Sequence, residues 1–202
     1  MGRNREVPEI NSGSMADIAF LLLIFFLVAT TVQNDKGLIR KLPQKQNETL
    51  IDINERNVFR VVLNKENQLM VEGELLQIEN LEEEVVNFLD NGGETGKCDY
   101  CMGSKSKDLS DSPSDAVISF KSDRKALYGK YVEVQDKFTK AYRILRSRES
   151  SRLYGMDFKS LEEEYAKPET TQEMREILKE RIKTIREMYP MQISESELIF
   201  KS

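Results

Sequence analysis

Residues 15–32, MADIAFLLLIFFLVATTV, constrain this chain more than any other stretch, because no other run is apolar enough to cross a bilayer. Spanning the hydrocarbon takes about 20 mostly apolar residues at roughly 1.5 Å rise each. Extended into Ser14 and Gln33, the run just meets that length, so a transmembrane helix is expected over 14–33. One carboxylate, Asp17, sits inside it. An acid at the bilayer centre costs about 2.5–3.5 kcal/mol on insertion scales, so intramembrane acids tend to serve a function. Helical spacing places Ser14, Asp17, Leu21, Ile24, Val28 and Thr31 along one stripe, since residues three, four and seven apart share a face. Asp17 is thus the candidate proton-binding residue, with Ser14, Leu21 and Thr31 as candidates to face a pore beside it. Gly13, Ser14, Ala16 and Ala19 are small enough to let another helix approach closely. The competing reading puts Asp17 in the first helical turn at the membrane interface, where the helix dipole favours a carboxylate. Spacing alone leaves both readings open.

The remaining composition narrows the function. A chain of 202 residues has room for one anchor and one modest domain. With 32% charged residues and a mean hydropathy of −0.52, everything after the span reads as soluble. A net charge of −5 argues against nucleic acid as a partner. There is no histidine, which removes imidazole catalysis, imidazole metal ligation and the usual physiological pH switch. Proton handling would therefore fall to a carboxylate. A cleaved signal peptide is the rival for the N-terminus, with Arg3 and Arg5 ahead of an apolar core at 18–29. Glu6, Glu9, Asp17 and the lack of a small-x-small site after Ala29 favour an uncleaved anchor instead. Counting Arg3 and Arg5 against Lys36, Arg40, Lys41 and Lys45 does not settle orientation.

Residues 34–57 read as a polar linker broken by Gly37 and Pro43. It is either a tether drawn to the membrane surface by its cations or a segment that orders on a partner. An α+β domain is expected over 58–202. Val58–Leu63 and 68–72 form a hairpin around Asn64–Asn67, ended by Gly73, and 78–89 has helical spacing. A Gly-, Ser- and Asp-rich insertion at about 90–114 reads as a mobile loop. Strand 116–121 precedes a helix over Tyr128–Arg148, with Tyr131, Val134, Phe138, Tyr142 and Leu145 as its core stripe. Ser160-x-x-Glu163 introduces a short helix within 153–170, and Thr170-x-x-Glu173 caps a helix over 174–189. Pro190 stops that helix ahead of a last strand at 191–194. The order is β-β-α-β-α-α-β in two layers, with the short helix added before the final one. Arg143, Arg146, Arg148 and Arg152 read as a solvated helix end or as a contact for a partner protein or an anionic cell-wall polymer. Cys98-x-x-Cys101 has no second pair or histidine to complete a zinc site, and no strand-to-helix setting for redox catalysis. It is expected to be inert or locally disulfide-bonded, and no metal or cofactor is expected. Without a catalytic cysteine setting or a phosphate loop, no enzyme is expected either.

Glu9-Ile10-Asn11, the spacing to Asp17, and the Leu/Ile/Phe/Val run to Val28 resemble the N-terminus of the ExbD/TolR family of biopolymer transport proteins. Gly13-Ser14 stands where that family usually has Thr-Pro, with the spacing to the acid preserved. Gly37–Pro43 and Glu187–Glu195 are similar to Bacteroidetes-type members, and the Asp123 turn with Tyr128-Gly129 resembles the family's periplasmic domain. The resemblance implies a protonatable Asp17, a cytoplasmic tail over 1–13, a single inner-membrane span and a periplasmic C-terminal domain. It implies no cofactor. It further implies a homodimer inside a ring of ExbB-like polytopic subunits, a TonB-like client, and a partner role for Arg40, Leu42 and Pro43. A TolR-like part in envelope maintenance is the nearest alternative, and an anchored periplasmic binding module without energy coupling is the other.

Overall fold

The six residues of β1 (Val58–Leu63) alternate: Phe59, Val61 and Leu63 are buried, while Val58, Arg60 and Val62 are half-buried or exposed. This is the period-two signature of a sheet covered on one face. A computed structural model of the chain describes residues 12–30, 54–93 and 96–198. It divides into two compact units, Met1–Leu50 and Ile51–Ser202.

The described part of the first unit is one helix, α1 (Ser12–Thr30), 19 residues long. Among the described residues no helix is long and apolar enough to cross a membrane. At about 1.5 Å per residue α1 measures roughly 28 Å, just short of a typical hydrocarbon core. The span expected over 14–33 runs past its described end.

The second unit continues with β2 (Leu69–Val71), β3 (Glu74–Leu76), α2 (Leu81–Leu89), β4 (Val117–Ser122), α3 (Tyr128–Tyr154), α4 (Phe158–Ala166), α5 (Gln172–Met188) and β5 (Ile193–Glu197). The sheet order is β3-β2-β1-β4-β5. The hairpin side is antiparallel, whereas β4 runs parallel to both β1 and β5. Turn chemistry sets the first hairpin. Asn64 Oδ1 accepts from the backbone N–H groups of Glu66 and Gln68 at 3.0 and 2.8 Å, and Asn67 adopts a left-handed φ of 64°, which asparagine tolerates.

β3 is a strand the sequence reading ended too early to include. Glu72 and Gly73 both take positive φ, 48° and 90°, as a two-residue turn that matches strand twist requires. Glu72 is held there because its carboxylate accepts from Arg60 N–H at 2.6 Å while its own N–H donates to Arg60 O at 3.0 Å.

α2 and α3 close the core over the sheet. Leu81, Val85, Phe88 and Leu89 of α2 and Val134, Phe138, Ala141, Tyr142 and Leu145 of α3 pack on Phe59, Val61, Leu63, Ile118 and Phe120. Truncating one such aromatic residue costs about 3–5 kcal/mol. A second, smaller cluster joins Phe158, Leu161, Leu178, Ile182 and Ile185 of α4 and α5.

Helix ends differ from expectation in three places. α3 runs six residues past Arg148 because nothing breaks it before Gly155, whose φ of 68° and N–H bond to Ser151 O form a left-handed cap. α4 is capped by Asp157, which accepts from Lys159 N and Ser160 N, so Ser160 lies inside the helix. α5 is capped by Thr171, one residue after the expected position, through Met174 N.

The expected mobile loop is a built structure. Asn91 is fully buried. Its side-chain amide donates to Ser106 O and Ser110 O at 2.8 Å each, and its carbonyl accepts from Ser104 Oγ and Ser106 N. Asn57 and Asp111 exchange two further bonds, at 2.9 and 2.8 Å. Backbone that sequence composition marks as loose is thus held by side chains that replace a ladder.

Candidate functional site

Asp17 lies in the second turn of α1, whose first turn carries no acid. Asp17 is the only charged residue between Ser12 and Thr30. Its side chain and those of Leu21 and Ile24 are exposed. So are Ile18, Phe20, Leu22, Leu23, Phe25 and Phe26, the large ones by 40–64%. Apolar side chains therefore face outward on every side of the helix, not along one stripe. A helix apolar all round is covered by protein or lipid when it is at work. Ser14 belongs to the same helix at the expected spacing from Asp17. Thr31, Arg40, Leu42 and Pro43 lie outside the described residues.

In the second unit the arginine cluster is not a solvated helix end. Arg146 is half-buried and donates through Nε and Nη2 to Tyr189 O at 3.0 and 2.6 Å, while its guanidinium lies over Tyr142 and Phe158. Burial holds the Arg146 pKa below its ordinary value. Arg148 reaches across to Asp90 as a fork, Nη1 to Oδ2 at 2.6 Å and Nη2 to Oδ1 at 2.7 Å. Tyr189 Oη donates to the same Oδ1 at 2.8 Å. The hydrogen bond to Asp90 raises the Arg148 pKa, and burial together with Tyr189's own hydrogen bond to Asp90 raises Tyr189. Arg148 Nε also meets the fully buried Glu149, which Arg152 Nε binds from the other side at 2.6 Å. Arg143 and Arg152 are both exposed on α3, and of the four only Arg143 takes no part in this network.

Asp90, Tyr189 and Glu149 escaped the sequence reading because each looks ordinary by itself. Bidentate arginine–carboxylate bonds of this kind fix geometry. Here they join the 90–103 loop, α3 and the end of α5, so their evident work is to hold the domain together. Cys98 and Cys101 are joined in a disulfide, the local bond left open by the sequence. Among the described residues no cluster of three or more metal-ligating side chains is present.

An apolar helix marked by a single carboxylate, followed by a separate α+β unit, defines the general class. Compared with known families, residues 3–146 match the description "Biopolymer transport protein ExbD/TolR". That is more than half of the chain, and the chain belongs to the ExbD/TolR family. Members are membrane-associated and work with membrane partners such as ExbB and TonB. The match takes in Asp17, the sheet through β4 and most of α3; α4, α5 and β5 lie beyond it. A comparison with curated proteins returns no match.

Proposed function

We propose that this chain is the proton-motive-force-coupled subunit of an inner-membrane energy-transducing complex of the ExbB–ExbD–TonB type, energising transport across the outer membrane. The observation that carries the reading is the lone carboxylate of Asp17, one full turn inside a helix with no other charge and no polar face. In a low-dielectric pore a carboxylate favours its neutral form, and a hydrated access path lets it ionise. Each charge moved across the membrane is worth about 2.3 kcal/mol per 100 mV. In the proposed cycle the helix pairs with a second copy inside a ring of ExbB-like subunits. Asp17 takes a proton from the periplasmic side, releases it to the cytoplasm, and biases rotation or sliding of the pair. The cytoplasmic N-terminus, the span over 14–33 and the periplasmic placement of the second unit are parts of this proposal. The periplasmic unit then passes the motion to a TonB-like protein.

Asp17→Asn tests it, being nearly isosteric but unable to ionise. The expected outcome is loss of TonB-dependent uptake with normal protein level and normal co-purification of the ring. Uptake that survives the substitution refutes the proposal. A TolR-like role uses the same chemistry with a different client, and affinity purification from solubilised membranes separates the two by the client that accompanies the ring.

A further inference from the structure

The Cys98–Cys101 disulfide closes a ring of only four residues. Closing so short a loop removes little freedom from the unfolded chain, so its effect is local and falls on what the ring presents. It presents Tyr100. Tyr100 Oη donates to Met188 O, at the last residue of α5, at 2.8 Å. Tyr100 O accepts from Arg148 Nη2 at 3.3 Å, and the Tyr100 ring stands edge-on to Tyr189 with centroids 5.5 Å apart. The first residue past the ring, Met102, donates its N–H to Asp90 Oδ2 at 3.3 Å. On its inner side the ring is seated tightly. Gly92 has φ +61°, and a Cβ there would come within 2.8 Å of Cys101 Cβ. Cys101 is buried, while Cys98 is only half-buried.

From Met188 the chain passes Tyr189 and Pro190 into β5. That strand pairs with β4 alone, at the edge of the sheet. The disulfide ring therefore grips one of the points at which the approach to the edge strand is held to the helical layer, beside Arg146 on Tyr189 O, Tyr142 Oη on Gln192 N and Tyr131 Oη on Glu195.

We propose that Cys98–Cys101 is a reducible latch on the α5–β5 end of the domain, opened by a dithiol protein of the thiol–disulfide oxidoreductase class. This is independent of the proton-coupling reading. A thiolate of the reductant attacks Cys98 Sγ, the more accessible sulfur, forming a mixed disulfide. The bond to Cys101 breaks, and Cys101 leaves as a thiolate that takes a proton from water. The second thiolate of the reductant then attacks its partner sulfur in the mixed disulfide and releases Cys98 as a thiolate, which is protonated in turn. Two electrons pass from the dithiol, which ends as a disulfide, and its two protons are returned through water to Cys98 and Cys101. With the ring open, Tyr100 is no longer fixed against Met188 O, and the segment leading into β5 loses one of its ties to the helical layer.

Hydrogen–deuterium exchange on the full chain in detergent, with and without dithiothreitol, tests the latch. The cysteines are expected to alkylate only after reduction. Amides over 189–198 are expected to exchange roughly tenfold faster in the reduced protein, about the loss of one hydrogen bond from a local opening equilibrium, with β1 and α2 unchanged. The double substitution Cys98→Ser with Cys101→Ser should give the same pattern without reductant. Tyr100→Phe, which keeps the disulfide and loses only the hydroxyl, should speed the same amides. Cysteines that alkylate without reductant, acceleration spread evenly over the domain, unchanged exchange over 189–198, or a silent Tyr100→Phe would each overturn the proposal.

Discussion

Removing Arg148 should destabilise the domain through Asp90 more than through any contact of its own. Asp90 is 6% exposed at its side chain and Arg148 27%. In the native protein the carboxylate accepts four hydrogen bonds, two from Arg148, one from Tyr189 Oη and one from Met102 N. Arg148→Met strips away both charged donors and leaves a buried anion with two neutral ones. Breaking a fully buried pair costs about 3–5 kcal/mol, whereas exposed pairs are worth about 0.2–1 kcal/mol. With the guanidinium about a quarter exposed, the expected loss is about 2–3 kcal/mol, between those limits. That is a large share of the roughly 5–15 kcal/mol that holds a domain folded. The measurement is urea unfolding of the full chain in mild detergent, followed by circular dichroism, for Arg148→Met, Asp90→Asn and the double variant. At a slope of about 2 kcal/mol/M the midpoint of Arg148→Met should fall by roughly 1–1.5 M. The double variant should be less destabilised than the sum of the singles by about 2 kcal/mol, since neither lone charge is then left buried. A coupling below about 0.5 kcal/mol would show that the pair behaves as a surface contact, and the account of Arg148 as the tie between loop and helix would be wrong.

Two further outcomes follow from the same structure. Gln135 is 1% exposed, and among the described residues neither its Nε2 nor its Oε1 has a partner; Gln135→Leu is therefore expected to stabilise the domain by about 1–3 kcal/mol, read as a raised urea midpoint. Asp157, with its pKa held below the ordinary carboxylate value by its bonds to Ser160 and Lys159, caps α4 in its ionised form. A lowered folded pKa means the contribution is present above the unfolded pKa and is lost as pH falls through the folded one. Asp157→Ser should keep the cap and abolish that acid-dependent loss of helicity, while Asp157→Ala should lose the cap at every pH.

The elements that the sequence revealed are those whose signal is local. α3 shows its core stripe at helical spacing, the first hairpin shows Asn64 and Asn67, and Asp17 stands out because a charge in that run has no innocent neighbour. What stayed hidden depends on pairs far apart in the chain. Arg148 looks solvated on a helical wheel because its partners lie 58 and 41 positions away. The loop after α2 reads as slack because its serines and glycines say nothing about Asn91, around which they close. β3 is three residues long with two of them exposed, too short to alternate, and only the Glu72-Gly73 turn announces it. The helix that carries Asp17 was legible. The tie of Asp90, Arg148 and Tyr189 was not, since each member becomes unusual only when the others are placed beside it.

The even greasiness of α1 bears on how such a helix can move. A shaft with apolar side chains at every azimuth makes much the same contacts whichever way it is turned, so spinning about its long axis meets few steps in packing energy. Asp17 is the single charged mark on that cylinder. Whatever surrounds the helix meets a charge that turns with it at that one carboxyl group alone.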